Sequence, residues 1–152
     1  MASQPVLVST LLGSCIAVTM FSQSKGIGAI CHAMMPDRSG RHHDLRYVDT
    51  AIYYIYRKAM EFGAARDLEI KLFGGSQILP TGRDQPGNVS IGRKNVARSL
   101  EVLNQLGLTV AKTDVGGTRG RKLFFSVLNG NVYVSLLGSD ELAARELIPW
   151  IK

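Results

Sequence analysis

A cysteine and a histidine lie in two neighbouring apolar segments near the start of the chain. Cys15 stands in LGSCIAV (12–18), and His32 stands in GAICHAMMP (28–36). The thiolate is the nucleophilic form of cysteine, and a free thiol titrates near pH ~8.5. An adjacent imidazole can take that proton and later pass it to a leaving group. The two residues therefore predict nucleophilic catalysis if the fold brings their segments together.

Such chemistry also needs an oxyanion site and a group that orients the imidazole. Backbone N–H groups near Cys15 are candidates for the oxyanion site, because Gly13 gives the preceding turn conformational freedom. Ser9 and Thr10 carry hydroxyls a few residues before the cysteine. Side chains of a strand alternate between its two faces, so only one of these hydroxyls is expected to point at His32.

The length and composition are typical of one globular domain. With 152 residues, of which 45% are hydrophobic and 20% charged, the chain can bury a core without disulfides, so we predict a single domain over residues 1–152. No apolar run approaches the ~20 residues that span a bilayer, and the N-terminus lacks a signal-peptide pattern. These features predict a cytoplasmic protein without membrane insertion, whose two cysteines are thiols.

Several common sites are not predicted. The sequence has no Cys-x-x-Cys, no His-Glu-x-x-His and no phosphate-binding loop, so no metal or other cofactor is expected. The net charge is +6, but its basic clusters at 38–46 and 119–122 are not interleaved with aromatic residues, which argues against nucleic-acid binding. His42 and His43 fall in a polar loop and are expected to be solvated, whereas Cys31 is expected to point away from the site.

Hydrophobic periodicity predicts strands at both ends of the chain around two helices. The predicted strands are 5–11, 14–21, 27–33, 68–73, 108–114, 122–128 and 131–137, the predicted helices are 46–62 and 91–106, and the tail 139–152 is expected to contain a short helix ended by Pro149. Polar loops are expected at 36–44 and 81–88, and Asn129-Gly130 indicates a hairpin. This arrangement is typical of an α+β layered sandwich.

The helix patterns also predict which side chains face the core. In the first helix these are Val48, Ala51, Ile52, Ile55, Ala59 and Phe62, and in the second they are Val96, Leu100, Leu103 and Leu106. Ser90 is expected to cap the start of the second helix, while Gly63 and Gly107 suit the two helix ends.

Several ordered motifs resemble the chemoreceptor glutamine deamidase (CheD) family. GSCIAV (13–18) resembles the nucleophile motif, and HAMMP (32–36) resembles the histidine motif that follows it. The remaining counterparts, in the same order, are RYVDTA (46–51), FGG (73–75), IGRKNV (91–96) and DVGGTRGR (114–121). The resemblance spans residues 6 to about 136.

The resemblance implies an α/β/α sandwich with a mixed sheet and a Cys-His-Thr catalytic set. It implies hydrolysis of receptor glutamine side chains to glutamate through a cysteine thioester, and a CheC-type phosphatase as partner. The family's hydroxyl stands six residues before the cysteine, a position held here by Ser9 with Thr10 beside it. The first glycine of the family's Gly-x-Gly-Ser-Cys is Leu11 here. The predicted catalytic residues are therefore Cys15, His32 and Ser9.

These departures leave a second hypothesis open. The fold could serve as a regulatory module that binds a CheC-type phosphatase, with weak or no catalysis. The presence of Cys15 and His32 favours the enzyme, whereas Ser9 and Leu11 in the family's Thr and Gly positions leave room for the regulatory module.

Overall fold

The computed structural model describes residues 1–37, 44–64, 66–78, 89–138 and 148–150. The strands are β1 (Leu7–Leu12), β2 (Ile16–Ser22), β3 (Ile27–Ala33), β4 (Leu68–Gly74), β5 (Val110–Val115), β6 (Arg121–Ser126), β7 (Val132–Leu136) and β8 (Ile148–Trp150), and the helices are α1 (Val48–Glu61) and α2 (Ile91–Gln105). The strands and helices predicted before residue 138 are thus all present, with ends shifted by a few residues.

The strands form two sheets. In the first, β2 lies between β3 and β4 with antiparallel pairing on both sides, and β5 adds to β4 in parallel. The second sheet has the order β1-β6-β7-β8 and is antiparallel throughout. As a result β1 and β3 are edge strands of different sheets.

The two faces of the first sheet bury different partners. Side chains of β2 alternate between a core shared with both helices, which contains Val18 and Met20, and a core shared with the second sheet, which contains Ala17 and Phe21. Every residue of β2 is buried, because the strand is covered on both faces. This double burial explains why 14–21 reads as a continuous apolar run rather than an alternating one.

The α+β sandwich with a mixed sheet and two main helices is confirmed. The order of its layers differs from the expected α/β/α. In the described residues both helices pack on one face of the first sheet, and the opposite face packs against the second sheet. The N-terminal strand β1 pairs with β6 from the C-terminal part of the chain. The second sheet, which this pairing joins to β1, forms the third layer in place of a second layer of helices.

The start of α2 and both predicted helix ends are confirmed. The Ser90 hydroxyl accepts a hydrogen bond from the Arg93 backbone N–H, and Gly63 and Gly107 adopt positive φ after their helices. The hairpin at Asn129-Gly130 is also present, although its loop runs from 127 to 131.

Two details of the prediction are wrong. Phe62, expected to face the core, is 56% exposed beyond the last turn of α1. Leu100 is 44% exposed, because α2 turns a polar face with Gly92, Asn95 and Ser99 inward. In the tail, 148–150 forms a strand on β7, and the helix predicted before Pro149 falls on residues that the structure does not describe. His42, His43, the loop 81–88 and the rest of the tail lie outside the described residues.

The described residues contain neither a membrane-spanning helix nor a metal-binding cluster. No helix there is long and apolar enough to cross a membrane. No three His, Cys, Asp or Glu side chains group there in a way that would hold a metal ion.

Candidate active site

Cys15 and His32 lie on the same face of the first sheet, at the end where β2 begins and β3 finishes. His32 pairs directly with Ala17, and directly paired residues of antiparallel strands point to the same side. Cys15 precedes Ala17 by two positions and packs with it against the core between the sheets. The predicted nucleophile and base are therefore diagonal neighbours, on an edge where His32 is exposed and Cys15 is partly buried.

The hydroxyl that reaches His32 belongs to Thr10. Its Oγ1 lies 2.8 Å from His32 Nδ1, across the gap between the edge strands of the two sheets. Ser9 is exposed on the outer face of β1. The placement of Ser9 beside His32, obtained by counting six residues back from Cys15, is therefore corrected by one position.

Strand parity explains this error. Val8, Thr10 and Leu12 point inward from β1, while Leu7 and Leu11 are 62% and 59% exposed. Both sets contain two apolar residues around one hydroxyl, so periodicity does not distinguish them. Pairing of β1 with β6 decides which set of side chains faces inward.

In this state the described contacts of Cys15 do not include a hydrogen bond from its thiol to His32. Catalytic hydrogen bonds are commonly long before substrate binds and tighten in the substrate complex. The structure therefore brings Thr10 and His32 into direct contact and places Cys15 beside them.

The turn that carries Cys15 is held by the end of β4. Gly75 N–H donates to the Cys15 carbonyl over 2.8 Å, and Ser76 N–H donates to the Gly13 carbonyl over 2.8 Å. Gly74 has φ of +101°, and a Cβ there would collide with the Cys15 carbonyl oxygen. Only glycine satisfies both the backbone conformation and this close approach.

A residue from α2, which the sequence analysis did not single out, completes the support. Asn95 is fully buried, and its Nδ2 donates to the Ser14 carbonyl at 2.9 Å and to the Met34 carbonyl at 3.0 Å. One acceptor adjoins Cys15 and the other follows the strand of His32. The only signal for it in the sequence was its place in the motif IGRKNV.

Burial shapes the charge state of the pair. Burial raises the pKa of the Cys15 thiol above its ordinary value, and a hydrogen bond from its own backbone N–H opposes this to a smaller extent. Burial lowers the pKa of His32. Both shifts favour the neutral thiol and imidazole over the thiolate–imidazolium pair.

Cys31 points away from the site, as predicted. Its thiol is buried among residues of the helix-side core, and burial raises its pKa to about 12. A thiol in that environment is neutral and shielded, so it behaves as a small apolar side chain.

This buried thiol makes stability depend on pH in the alkaline range. An unfolded thiol ionises near pH ~8.5, so between that value and pH 12 the folded state binds more protons than the unfolded state. The neutral Cys31 thiol therefore makes its full contribution to stability below that pH range, and the contribution is lost as pH rises through the range. We expect the free energy of unfolding to fall with rising pH in the wild type more steeply than in Cys31→Ala. The difference between the two slopes should be roughly 1 kcal/mol per pH unit.

Denaturant unfolding at several pH values from 8 to 11 measures this slope. Cys15→Ala is the matched control, because its half-buried thiol contributes a smaller slope. Identical slopes for the wild type and Cys31→Ala would contradict the prediction.

The loop at 116–120 is a tight turn supported from below. Gly116 and Gly117 both have positive φ, and the guanidinium of Arg121 is buried beneath them. Arg121 Nη1 donates to the Gly116 carbonyl at 2.9 Å, and Nη2 pairs with Asp114 at 2.8 Å. Arg121 therefore supports the turn from inside, while Arg119 remains on the surface.

Comparison with known proteins identifies a family for this chain. A family model described as CheD chemotactic sensory transduction matches residues 34–136. The chain is 45% identical over 141 residues to a probable chemoreceptor glutamine deamidase CheD 2 of Geobacter sulfurreducens, a match that covers 92% of this chain and 86% of that protein. The chain belongs to the CheD family. The resemblance carried by the separated motifs is thereby confirmed.

Further CheD relatives come from distant microorganisms. A probable chemoreceptor glutamine deamidase CheD of Maridesulfovibrio salexigens is 40% identical, with 88% of this chain and 84% of that protein covered. One of Methanococcus maripaludis is 35% identical, with 86% and 84% covered. The family model begins after Cys15 and His32, but the Geobacter match covers so much of the chain that it includes the segment holding both.

Proposed function

We propose that this protein hydrolyses glutamine side chains on methyl-accepting chemoreceptors to glutamate, with Cys15 as nucleophile, His32 as base and acid, and Thr10 as the group that orients His32. The contact between Thr10 and His32 beside Cys15 carries the proposal. Cysteine amidohydrolysis requires a nucleophile, a base and an orienting group, and the proposed ones come from the turn before β2, from β3 and from β1. Membership of the CheD family supplies the substrate class, because the relatives are named as probable chemoreceptor glutamine deamidases.

The first half-reaction forms a thioester. As the Cys15 sulfur attacks the glutamine side-chain carbonyl carbon, His32 takes the thiol proton. The carbonyl oxygen gains negative charge, which backbone N–H groups near Cys15 stabilise. The C–N bond then breaks, and the imidazolium gives its proton to the departing nitrogen, which leaves as ammonia.

The second half-reaction regenerates the enzyme. Water attacks the thioester carbonyl carbon while His32 takes one of its protons, and the C–S bond breaks as the acid forms. The sulfur leaves with the proton from His32, so the site returns to its neutral pair. The net reaction consumes one water and converts the carboxamide into a carboxylic acid plus ammonia.

Thr10 suits the orienting role because of the atom that it contacts. When Thr10 Oγ1 accepts a hydrogen bond from His32 Nδ1–H, the proton-free Nε2 is the base. The hydroxyl thus fixes both the tautomer and the ring orientation, as a carboxylate does in other triads, with a weaker neutral hydrogen bond.

Intact-mass analysis of a receptor fragment tests the function directly. A purified cytoplasmic fragment of a methyl-accepting chemoreceptor is incubated with the protein, and each deamidation exchanges an NH₂ group for a hydroxyl with a defined mass increase. Release of ammonia in equal amount confirms hydrolysis. A fragment that stays unmodified, with a protein that still binds a CheC-type phosphatase, would favour the regulatory module over the enzyme.

Thr10→Val is expected to lower kcat/KM by about 2- to 10-fold, since a neutral hydrogen bond is worth ~0.5–1.5 kcal/mol net. Misalignment of the imidazole adds to this loss. Thr10→Ser keeps the hydroxyl and should recover most of the activity. Initial rates of deamidation by mass spectrometry measure the effect.

Ser9→Ala is the matched control for that series. It removes a hydroxyl from the next residue of the same strand, on the exposed face, so activity should stay within about twofold of wild type. If Ser9→Ala is impaired and Thr10→Val is not, the orienting group is Ser9 and the assignment is reversed.

The family resemblance also supports a partner and a location. We include a CheC-type phosphatase as a binding partner, and the cytoplasm, where receptor signalling segments lie, as the place of action. Co-purification of the phosphatase with Cys15→Ala separates binding from catalysis, because that variant keeps its surface and lacks the nucleophile.

A further inference from the structure

A single buried amide joins the residue before Cys15 to a residue two positions after His32. Asn95 lies on α2, and its Nδ2 donates at 2.9 Å to the carbonyl of Ser14 and at 3.0 Å to the carbonyl of Met34. Both partners are carbonyl oxygens, which only accept, so the nitrogen must face them. The Asn95 side chain is fully buried, and its Oδ1 has no hydrogen-bond partner among the described residues.

The unpaired oxygen indicates what this side chain contributes. Leaving a buried acceptor without a partner costs ~1–3 kcal/mol, so Asn95 gains little stability from its own oxygen. Its two N–H donors instead satisfy carbonyls at the points where the backbone leaves regular strand pairing, before β2 and after β3. The residue therefore acts as a clamp between the turn of Cys15 and the end of the His32 strand.

The clamp is itself held in place by close packing of α2. A Cβ on Gly92 would collide with the Gly75 carbonyl oxygen, so the first turn of α2 lies against the segment that follows β4. That segment binds the carbonyls of Gly13 and Cys15 through the N–H groups of Ser76 and Gly75. Asn95 fills the gap between these two contacts by binding the intervening carbonyl of Ser14.

The three consecutive carbonyls fix the direction of the N–H groups between them. In a trans peptide the carbonyl and the following N–H point to opposite sides. Drawing the Ser14 carbonyl towards Asn95 therefore turns the Cys15 N–H to the other side, where it contacts its own thiol. The Cys15 N–H therefore lies on the side of the thiol, where the substrate carbonyl that the sulfur attacks must approach, and this makes it a candidate donor to the carbonyl oxygen.

We propose that Asn95 is a positioning residue for the deamidation, which holds the Cys15 turn and the His32 strand at their working separation and aims the Cys15 N–H at the reacting carbonyl. This inference rests on the proposed function. It adds a residue from α2 that contacts neither the thiol nor the imidazole and acts through their backbones.

Asn95→Ala and Asn95→Ser test the proposal, with Ser99→Ala as the matched control. Ser99 is fully buried on the same face one turn later, and its hydroxyl donates to the Asn95 carbonyl at 2.8 Å without touching the site. Removing it costs a buried hydrogen bond of similar size and leaves the clamp intact. Thermal unfolding compares the stability losses of the variants.

Two readouts distinguish positioning from stability. Asn95→Ala should lower kcat on the receptor fragment by about 10- to 100-fold with KM nearly unchanged, whereas Ser99→Ala stays within about twofold. Alkylation of Cys15 by iodoacetamide at pH 7 should slow in Asn95→Ala towards the rate of His32→Ala and remain normal in Ser99→Ala. Asn95→Ser, which keeps one donor, should lie between.

The alkylation readout needs no receptor, so it separates the two proposals. If the wild type does not deamidate the fragment but alkylation depends on Asn95, the proposed function fails and the positioning role stands. If the wild type deamidates and the Asn95 variants match Ser99→Ala in both readouts, the positioning role is overturned. Failure of both Asn95 variants to fold would assign the residue to folding alone and would also overturn it.

Discussion

Replacing Cys15 with alanine is expected to abolish glutamine deamidation while the protein stays folded. In the proposed mechanism the thiol forms the covalent intermediate, and loss of a nucleophile in a catalytic triad lowers kcat by on the order of 10⁴-fold or more. The side chain is small and only partly buried, so the free energy of unfolding should change by about 1 kcal/mol or less. Intact-mass analysis of the receptor fragment and a thermal melt measure the two effects.

Cys31→Ala is the matched control for this loss. It removes the other thiol of the chain, which lies in the helix-side core, and should retain deamidation at a measurable rate. Normal turnover by Cys15→Ala would remove Cys15 from the mechanism. Loss of activity in both variants with a lowered melting temperature would point to instability rather than chemistry.

Replacing His32 with alanine is expected to lower kcat/KM by about 10²- to 10⁴-fold, the usual contribution of a general base and acid. The imidazole is exposed at an edge strand, so the substitution should leave the fold intact. Since burial lowers the pKa of His32, the imidazole remains a base at lower pH than a free one. The acid limb of the wild-type pH profile should therefore lie below the ordinary value of ~6.5.

Alkylation of Cys15 gives an independent measure of the same pair. Burial raises the pKa of this thiol, so the rate with iodoacetamide should rise with pH through a midpoint above ~8.5 rather than stay high at pH 6. His32→Ala should slow the reaction at neutral pH and match the wild type at alkaline pH, where the thiolate forms unaided. A fast reaction at pH 6 would instead indicate a thiolate–imidazolium pair.

The proposed nucleophile and base were accessible to sequence analysis because their positions depend on local order. Cys15 directly precedes β2 and His32 lies on β3, and a short polar hairpin joins these two strands, so residues close in sequence are also close in space. The elements themselves follow from hydrophobic periodicity, and the start of α2 follows from the capping hydroxyl of Ser90. These features need no knowledge of distant contacts.

The third residue and the clamp depended on tertiary structure. The two faces of β1 carry equally apolar side chains, so hydrophobic periodicity does not predict which face points inward. Pairing of β1 with β6 selects the face that directs Thr10 at His32. The rotation of α2 has a similar cause, since close contact with the glycines after β4 turns Asn95 inward and leaves Leu100 exposed.

The sequence by itself thus determined the elements, the family and the proposed reacting pair, because short-range patterns encode them. The tertiary structure decided which hydroxyl meets the imidazole and which amide binds the two strand ends. Those choices rest on contacts between residues 22 to 81 positions apart, and no local periodicity carries that information.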